Sequence, residues 1–270
     1  MVYTVNNSFS IEGTGIHSGK KVKITFEPKN TPGIVFRSCA THVEIPLKLK
    51  YIKPLNLGTN LEKNGVWIKT IEHLCAVLWF LKISALYIVI EGEEIPIMDG
   101  SGRELLEIIE QHKLRKITKE IKTLVITHPI HFTHNDSFFF ALPHRHLYIN
   151  YTINFPNTPI GTQNYIFSKR SDFIHSINPN RTFGNINDVE KLHAAGLALG
   201  ATMENALVYN AENYISTPRF NNEAVRHKIL DLLGDLYSSG YFVQGKIFAY
   251  KTSHILNNKF TKLLVRHFSI

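Results

Sequence analysis

Between Leu74 and Ile90 the chain reads LCAVLWFLKISALYIVI, 17 residues broken by a single lysine. Such a run has to leave water, and it is close to the roughly 20 residues that span a bilayer. Two features divide it instead. Glu72, His73 and Lys82 would sit badly in lipid, and the second half is richer in β-branched and aromatic residues, as strands are. The run is therefore predicted as a helix over about Thr70 to Leu81 and a strand from about Ala85 to Ile90, in a soluble protein without stable membrane insertion.

Alternating patterns predict strands on either side of it: Val22 to Phe26, Gly33 to Arg37, Val43 to Leu49 and Val66 to Lys69. A second helix is expected over Arg103 to His112, where Leu105, Leu106, Ile108 and Ile109 recur at helical spacing. Lys113 to Lys122 is charged, has no large apolar run, and reads as a linker. Strands resume at Thr123 to Thr127, Ser137 to Leu142 and Leu147 to Ile153. Helices follow near Arg170 to Ser176 and Asp188 to Ala195, the latter capped by Asn187. A long helix from about Asn222 to Ser239, a strand over Gly245 to Lys251 and a helix over Asn258 to Arg266 close the chain. Elements come in two similar batches without a residue-level repeat, which suits two α+β domains, 1–115 and 120–270.

The 30 Lys and Arg against 22 Asp and Glu leave a charge of +8, which suits an anionic partner without choosing one. Two cysteines, Cys39 and Cys75, make no disulfide framework, and the first residues lack a basic and an apolar signal region. A cytoplasmic location is expected.

Several stretches offer chemistry. In NNEAVRHKILDLLGDLYSSG, His227, Asp231 and Asp235 fall at i, i+4 and i+8, nearly opposite the apolar stripe of Val225, Ile229, Leu232, Leu233 and Leu236. Adjacent turns bring a histidine nitrogen and a carboxylate oxygen toward one point, as zinc requires. A solvated polar stripe fits the same spacing. In TIEHL, Glu72 and His73 project about 100° apart on a helix, so one could bind a metal while the other reaches the water on it; a capping carboxylate beside a half-exposed histidine is the plainer reading. His128, His131, His134, His144 and His146 crowd one segment but flank prolines at strand ends, which argues against a metal site. GTGIHSGK (13–20) fails the phosphate-loop pattern, because its spacing is one residue too long and Lys21 follows the lysine. The basic run Lys48 to Pro54 lacks a nucleic-acid motif, so no nucleic-acid partner is expected.

Taken in order, GTGIHSGK, TIEHL, EIPIMDGSG (94–102), NRTFG (180–184), GLALGATMENALV (196–208), AVRHKILDLLGDLYSSG (224–240) and YKTSHILNNK (250–259) are collinear with one family. The chain resembles the zinc-dependent UDP-3-O-acyl-N-acetylglucosamine deacetylases, which commit Gram-negative bacteria to lipid A synthesis. The resemblance implies two similar two-layer domains, each a small β-sheet packed on two helices, each with an insertion (His42 to Leu61 and Thr182 to Val208), and an active site between them. It implies one zinc held by His73, His227 and Asp231, Glu72 as general base, and His254 as cation and proton donor kept charged by Asp235. Thr182 matches a hydroxyl near the scissile carbonyl, and Lys228 a lysine for the anionic part of a UDP-linked acylated glucosamine. Iron(II) suits the same ligands. The apolar second insertion, with Phe183, Leu197 and Gly200, would line an acyl passage in which Gly196 and Gly200 let the backbone bend. Asn180 and Asn185 depart from the smaller or more apolar residues expected beside RTFG. A monomer is expected. The rival from another class is a catalytically silent member that binds UDP-sugars or lipid surfaces.

Overall fold

The computed structural model describes residues 2–55, 57–117 and 123–268. Its central feature is one strand order used twice. In the first unit the sheet runs Phe9–Thr14, Lys21–Pro28, Ala85–Glu91, Gly33–Ser38, Glu44–Pro46. In the second it runs Ile130–His134, Ser137–Leu142, Phe242–Tyr250, Leu147–Phe155, Gly161–Phe167. In both, the last strand of the sheet enters its middle, antiparallel to one neighbour and parallel to the other. Thr123–Val125 adds a parallel edge partner to the second central strand.

A helix precedes and follows each central strand: α1 (Glu72–Leu81) and α2 (Arg103–Glu110) in the first unit, α4 (Glu223–Tyr237) and α5 (His254–Phe268) in the second, with the short α3 (Val189–Ala194) between. The apolar run thus divides as expected, into α1 and the central strand Ala85–Glu91. Every residue of α1 from Glu72 to Trp79 is buried. That is why its sequence is apolar all round: protein covers it on every side. No helix among the described residues is long and apolar enough to cross a membrane.

Other expectations shift. Leu114–Ile117, placed in the linker, is a strand paired with Val2–Val5, and Ile117 packs with Val2 and Ala85. Residues 118–122, the rest of that linker, lie outside the described residues. The two sheets are the basis on which we propose the domains 1–115 and 120–270. The first insertion sits later than expected: Leu49–Tyr51 forms a 3₁₀ turn, then Ile52–Leu55, Gly58–Lys63 and Val66–Ile68 make a separate three-stranded sheet. The second matches Thr182 to Val208, with Thr182–Asn185 and Ala206–Tyr209 paired in parallel around α3. Asn187 is not its cap: the N-cap of α3 is Asp188, without a side-chain bond, and Asn185 caps the 3₁₀ turn Ile186–Asp188 just before it by accepting from the Asn187 amide. The helix expected at Arg170 to Ser176 is a single π turn, Phe173–Ile177. The last helix begins at His254, four residues earlier than expected.

Candidate metal and catalytic site

The first turn of α1 meets the middle of α4 at Gly234. A Cβ there would stand 2.0 Å from the Glu72 carbonyl oxygen, so only glycine lets the two helices approach this closely. The crossing sets His73 against the polar stripe of α4. Asp231 Oδ1 lies 3.2 Å from His227 Nε2 and 3.5 Å from His73 Nε2. The stripe is therefore not solvated, and Glu72 and His73 are not a half-exposed cap: all of these residues are buried.

The chemistry of the trio fits a cation. His227 Nδ1 lies 3.0 Å from the Asn180 carbonyl, which can only accept, so the proton belongs on Nδ1 and the Nε2 lone pair faces Asp231. Burial pushes His73 below the ordinary histidine range, despite Asp231 beside it, so it is neutral and able to coordinate. Burial alone would raise Asp231, but the positive charge around it, Lys228 and His254 included, holds it well below the usual carboxylate range. Asp231 Oδ1 is buried and has no hydrogen-bond partner among the described residues, a costly state for a carboxylate oxygen. Two imidazole lone pairs and this oxygen, within 4.8 Å of one another, suit a metal with an open position. No other such group of His, Cys, Asp or Glu occurs among the described residues, the five clustered histidines included.

Beside the trio lies an acid–base pair. Glu72 Oε2 accepts from the Thr59 amide at 2.9 Å, and Oε1 is 3.9 Å from His254 Nε2. Burial raises the Glu72 pKa to about 7, with Asp235 and Asp231 adding to the effect and His254 opposing it. His254 opens α5, with Nδ1 3.0 Å from Asp235 Oδ2. Burial would lower its pKa, but Asp235, Asp231 and Glu72 lift it to about 9. Asp235 is fully buried and also accepts from Thr59 Oγ1 at 2.5 Å and Asn257 Nδ2 at 2.8 Å. Asn258 Nδ2 in turn donates to Thr59 Oγ1 at 2.9 Å. Thr59, Asn257 and Asn258 escape sequence reasoning, since a threonine in a polar strand and asparagines past a helix start carry no spacing signal of their own.

The chain matches the model of the UDP-3-O-acyl N-acetylglycosamine deacetylase (LpxC) family over residues 3–266. The protein belongs to this family. Relatives named UDP-3-O-acyl-N-acetylglucosamine deacetylase include those of Geotalea uraniireducens, 38% identical over 97% of this chain and 88% of the relative, and Nautilia profundicola, 34% identical over 97% and 91%. That of Myxococcus xanthus is 38% identical over 96% and 84%. The family is one of metalloenzymes.

The remaining family blocks build the surroundings. GTGIHSGK closes on a carboxylate of its own chain: Glu94 accepts from the amides of His17 (2.9 Å) and Ser18 (3.0 Å) and from Ser18 Oγ (2.8 Å). The loop's donors are thus consumed internally, consistent with its failing the phosphate-loop pattern. In NRTFG, Asn180 is fully buried and its amide donates to Ser176 and Ile177, so it shapes the turn that orients His227 instead of altering a passage lining. Arg181 pairs with buried Glu223 at 3.0 Å, fixing the same turn to the start of α4. Thr182 and Phe183 follow, with the Phe183 ring 6.2 Å from that of His227. Lys228 is half-buried and donates to Asp231 Oδ2 at 2.7 Å; burial opposes its charge, but Asp231 keeps its pKa above the usual lysine value. Gly200 does not serve a free bend. A Cβ there would lie 2.3 Å from the Gly15 carbonyl, and its amide bonds the Ile16 carbonyl, so it docks the second insertion on GTGIHSGK. Leu197 is half-buried nearby, and Leu199 and Met203 stay 49% and 43% exposed.

Proposed function

We infer that the protein hydrolyses the acetamide of UDP-3-O-acyl-N-acetylglucosamine, releasing acetate and a free amine, at a single zinc ion held by His73, His227 and Asp231. The observation that carries this reading is the buried, otherwise unpartnered Asp231 oxygen facing two imidazole nitrogens, beside Glu72 and His254. A bound divalent cation supplies Lewis acidity toward water and the amide carbonyl. Glu72, whose pKa sits near neutrality, takes a proton from the attacking water. His254, kept cationic by Asp235, stabilises negative charge on the carbonyl oxygen and then protonates the nitrogen as the C–N bond breaks. Thr182 donates its hydroxyl toward that oxygen. Lys228 holds Asp231 and lends positive charge to the anionic part of the substrate.

The second insertion, with Phe183, Leu197 and the exposed Leu199 and Met203, is the wall for the acyl chain, and Gly200 anchors that wall. Each buried methylene is worth about 0.8 kcal/mol, and part of this binding energy orients the acetamide. Acetate release from the acylated substrate should therefore exceed that from non-acylated UDP-N-acetylglucosamine in both kcat and kcat/KM. Equal values would remove the acyl wall. Two free cysteines support a reducing cytoplasm, and we assign a monomer there. With acid, base and ligand set all in reach of one another, no observation favours the silent binding member.

Asp235→Asn tests the acid. The rate should be lost as pH rises through the His254 pKa, because only the cation protonates the amine. Removing the Asp235 charge lowers that pKa, so the alkaline limb of kcat should move toward acid by about 1–3 pH units. An unmoved limb would separate His254 from the proton transfer.

A further inference from the structure

At the end of α1 remote from Glu72 and His73, a cleft of about 630 Å3 opens between the two units. Trp79 and Lys82 line it from the first unit, and Arg145, Leu147, Lys169, Arg170 and Phe242 from the second. Among the described residues its lining contains no carboxylate. None of Lys82, Arg145, Lys169 and Arg170 has a carboxylate within ion-pairing distance among the described residues. Lys228 and Arg219, half-buried near the first site, are by contrast paired with Asp231 and Asp99.

Arg170 is the deepest of the four. Its guanidinium lies 4.5 Å over the Trp79 ring and 5.7 Å from that of Phe242. It donates to the carbonyls of Trp79 and Phe80, the last turn of α1. A helix C-terminus carries only about half an elementary charge, so these carbonyls leave the guanidinium partly uncompensated. Burial accordingly pushes its pKa down to about 10. Lys82, Arg145 and Lys169 are exposed at the rim, so their charges converge on the same opening.

We propose that this cleft is a second ligand site, for a small phosphate ester whose phosphate is held by Arg145, Lys169 and Arg170 and whose apolar or aromatic group rests on Leu147 and Phe242. The Arg145 guanidinium fork matches phosphate oxygens, and Arg170 keeps Nη1 for the ligand while its Nε and Nη2 hold the Phe80 and Trp79 carbonyls. The volume falls within the roughly 300–1,000 Å3 of small-molecule sites. The ten residues of α1 span about 15 Å, which separates this ligand from His73. The proposal stands apart from the deacetylase reading, since it uses none of the same side chains.

Calorimetry on the metal-loaded chain tests it with three probes: inorganic phosphate, adenosine monophosphate, and a short-chain phosphatidylglycerol below its micelle concentration. An ester should bind more tightly than inorganic phosphate, and Arg145→Glu with Lys169→Glu should weaken it about tenfold or more while deacetylation persists. Lys228→Ala should leave that binding intact. Adenosine monophosphate alone would mark a soluble ester as the ligand, and the lipid alone a lipid headgroup; either supports the site. Equal affinity in wild type and the double variant, no ester binding at millimolar concentration, binding no tighter than phosphate, or loss only in Lys228→Ala would each overturn it.

Discussion

Glu72→Gln should lower kcat by about 10²–10⁴-fold with little change in KM. The amide is nearly isosteric and can still accept from the Thr59 amide at the position of Oε2, so the fold of the first turn of α1 should survive. What disappears is the acceptor for the water's proton. The carboxylate is well matched to that task, because burial places its pKa at about 7, near the working pH rather than far below it. Steady-state rates on the acylated substrate, together with an unchanged circular dichroism spectrum, make the check. A variant with near-normal kcat would assign the base elsewhere.

His227→Ala should strip the metal. Loss of a residue that merely supports a ligand costs about 10–100-fold in metal affinity, so loss of a ligand itself should exceed that. It would also free the Asn180 carbonyl from its only imidazole partner and leave Asp231 facing one nitrogen instead of two. Elemental analysis of the purified variant should show well below one metal per chain, with activity reduced in proportion to the metal retained. Full metal content with full activity would exclude His227 from the ligand set.

Much of this was legible in the sequence, for identifiable reasons. The long helix and the division of the 17-residue run rest on strong periodicity and on charges at the right boundary, and both are in the fold. The collinear blocks mark the start of α1, the whole of α4, the start of α5 and the loops packed around them, where ligands, turns and close approaches limit residue choice. The repeated strand order was not legible. It is a property of pairing between distant strands, and the two sheets show no residue-level repeat. Strands such as Gly58–Lys63 (GTNLEK) were missed because Thr59 and Asn60 are buried while polar. Their partners, Asp235 far along the chain and the Thr70 amide beyond the next strand, lie outside the segment, so its own alternation does not announce them. The start of α5 was missed for a related reason: its first turn is organised by Asp235 and Thr252 contacts to His254 and Asn257, not by an apolar face.

The most direct test is acetate release from UDP-3-O-acyl-N-acetylglucosamine by the purified chain, followed before chelation, after chelation, and after one equivalent of zinc is restored. Activity that disappears with the metal and returns with about one zinc per chain is the expected result. Undiminished deacetylation by protein shown to be free of metal would contradict a metal centre at His73, His227 and Asp231.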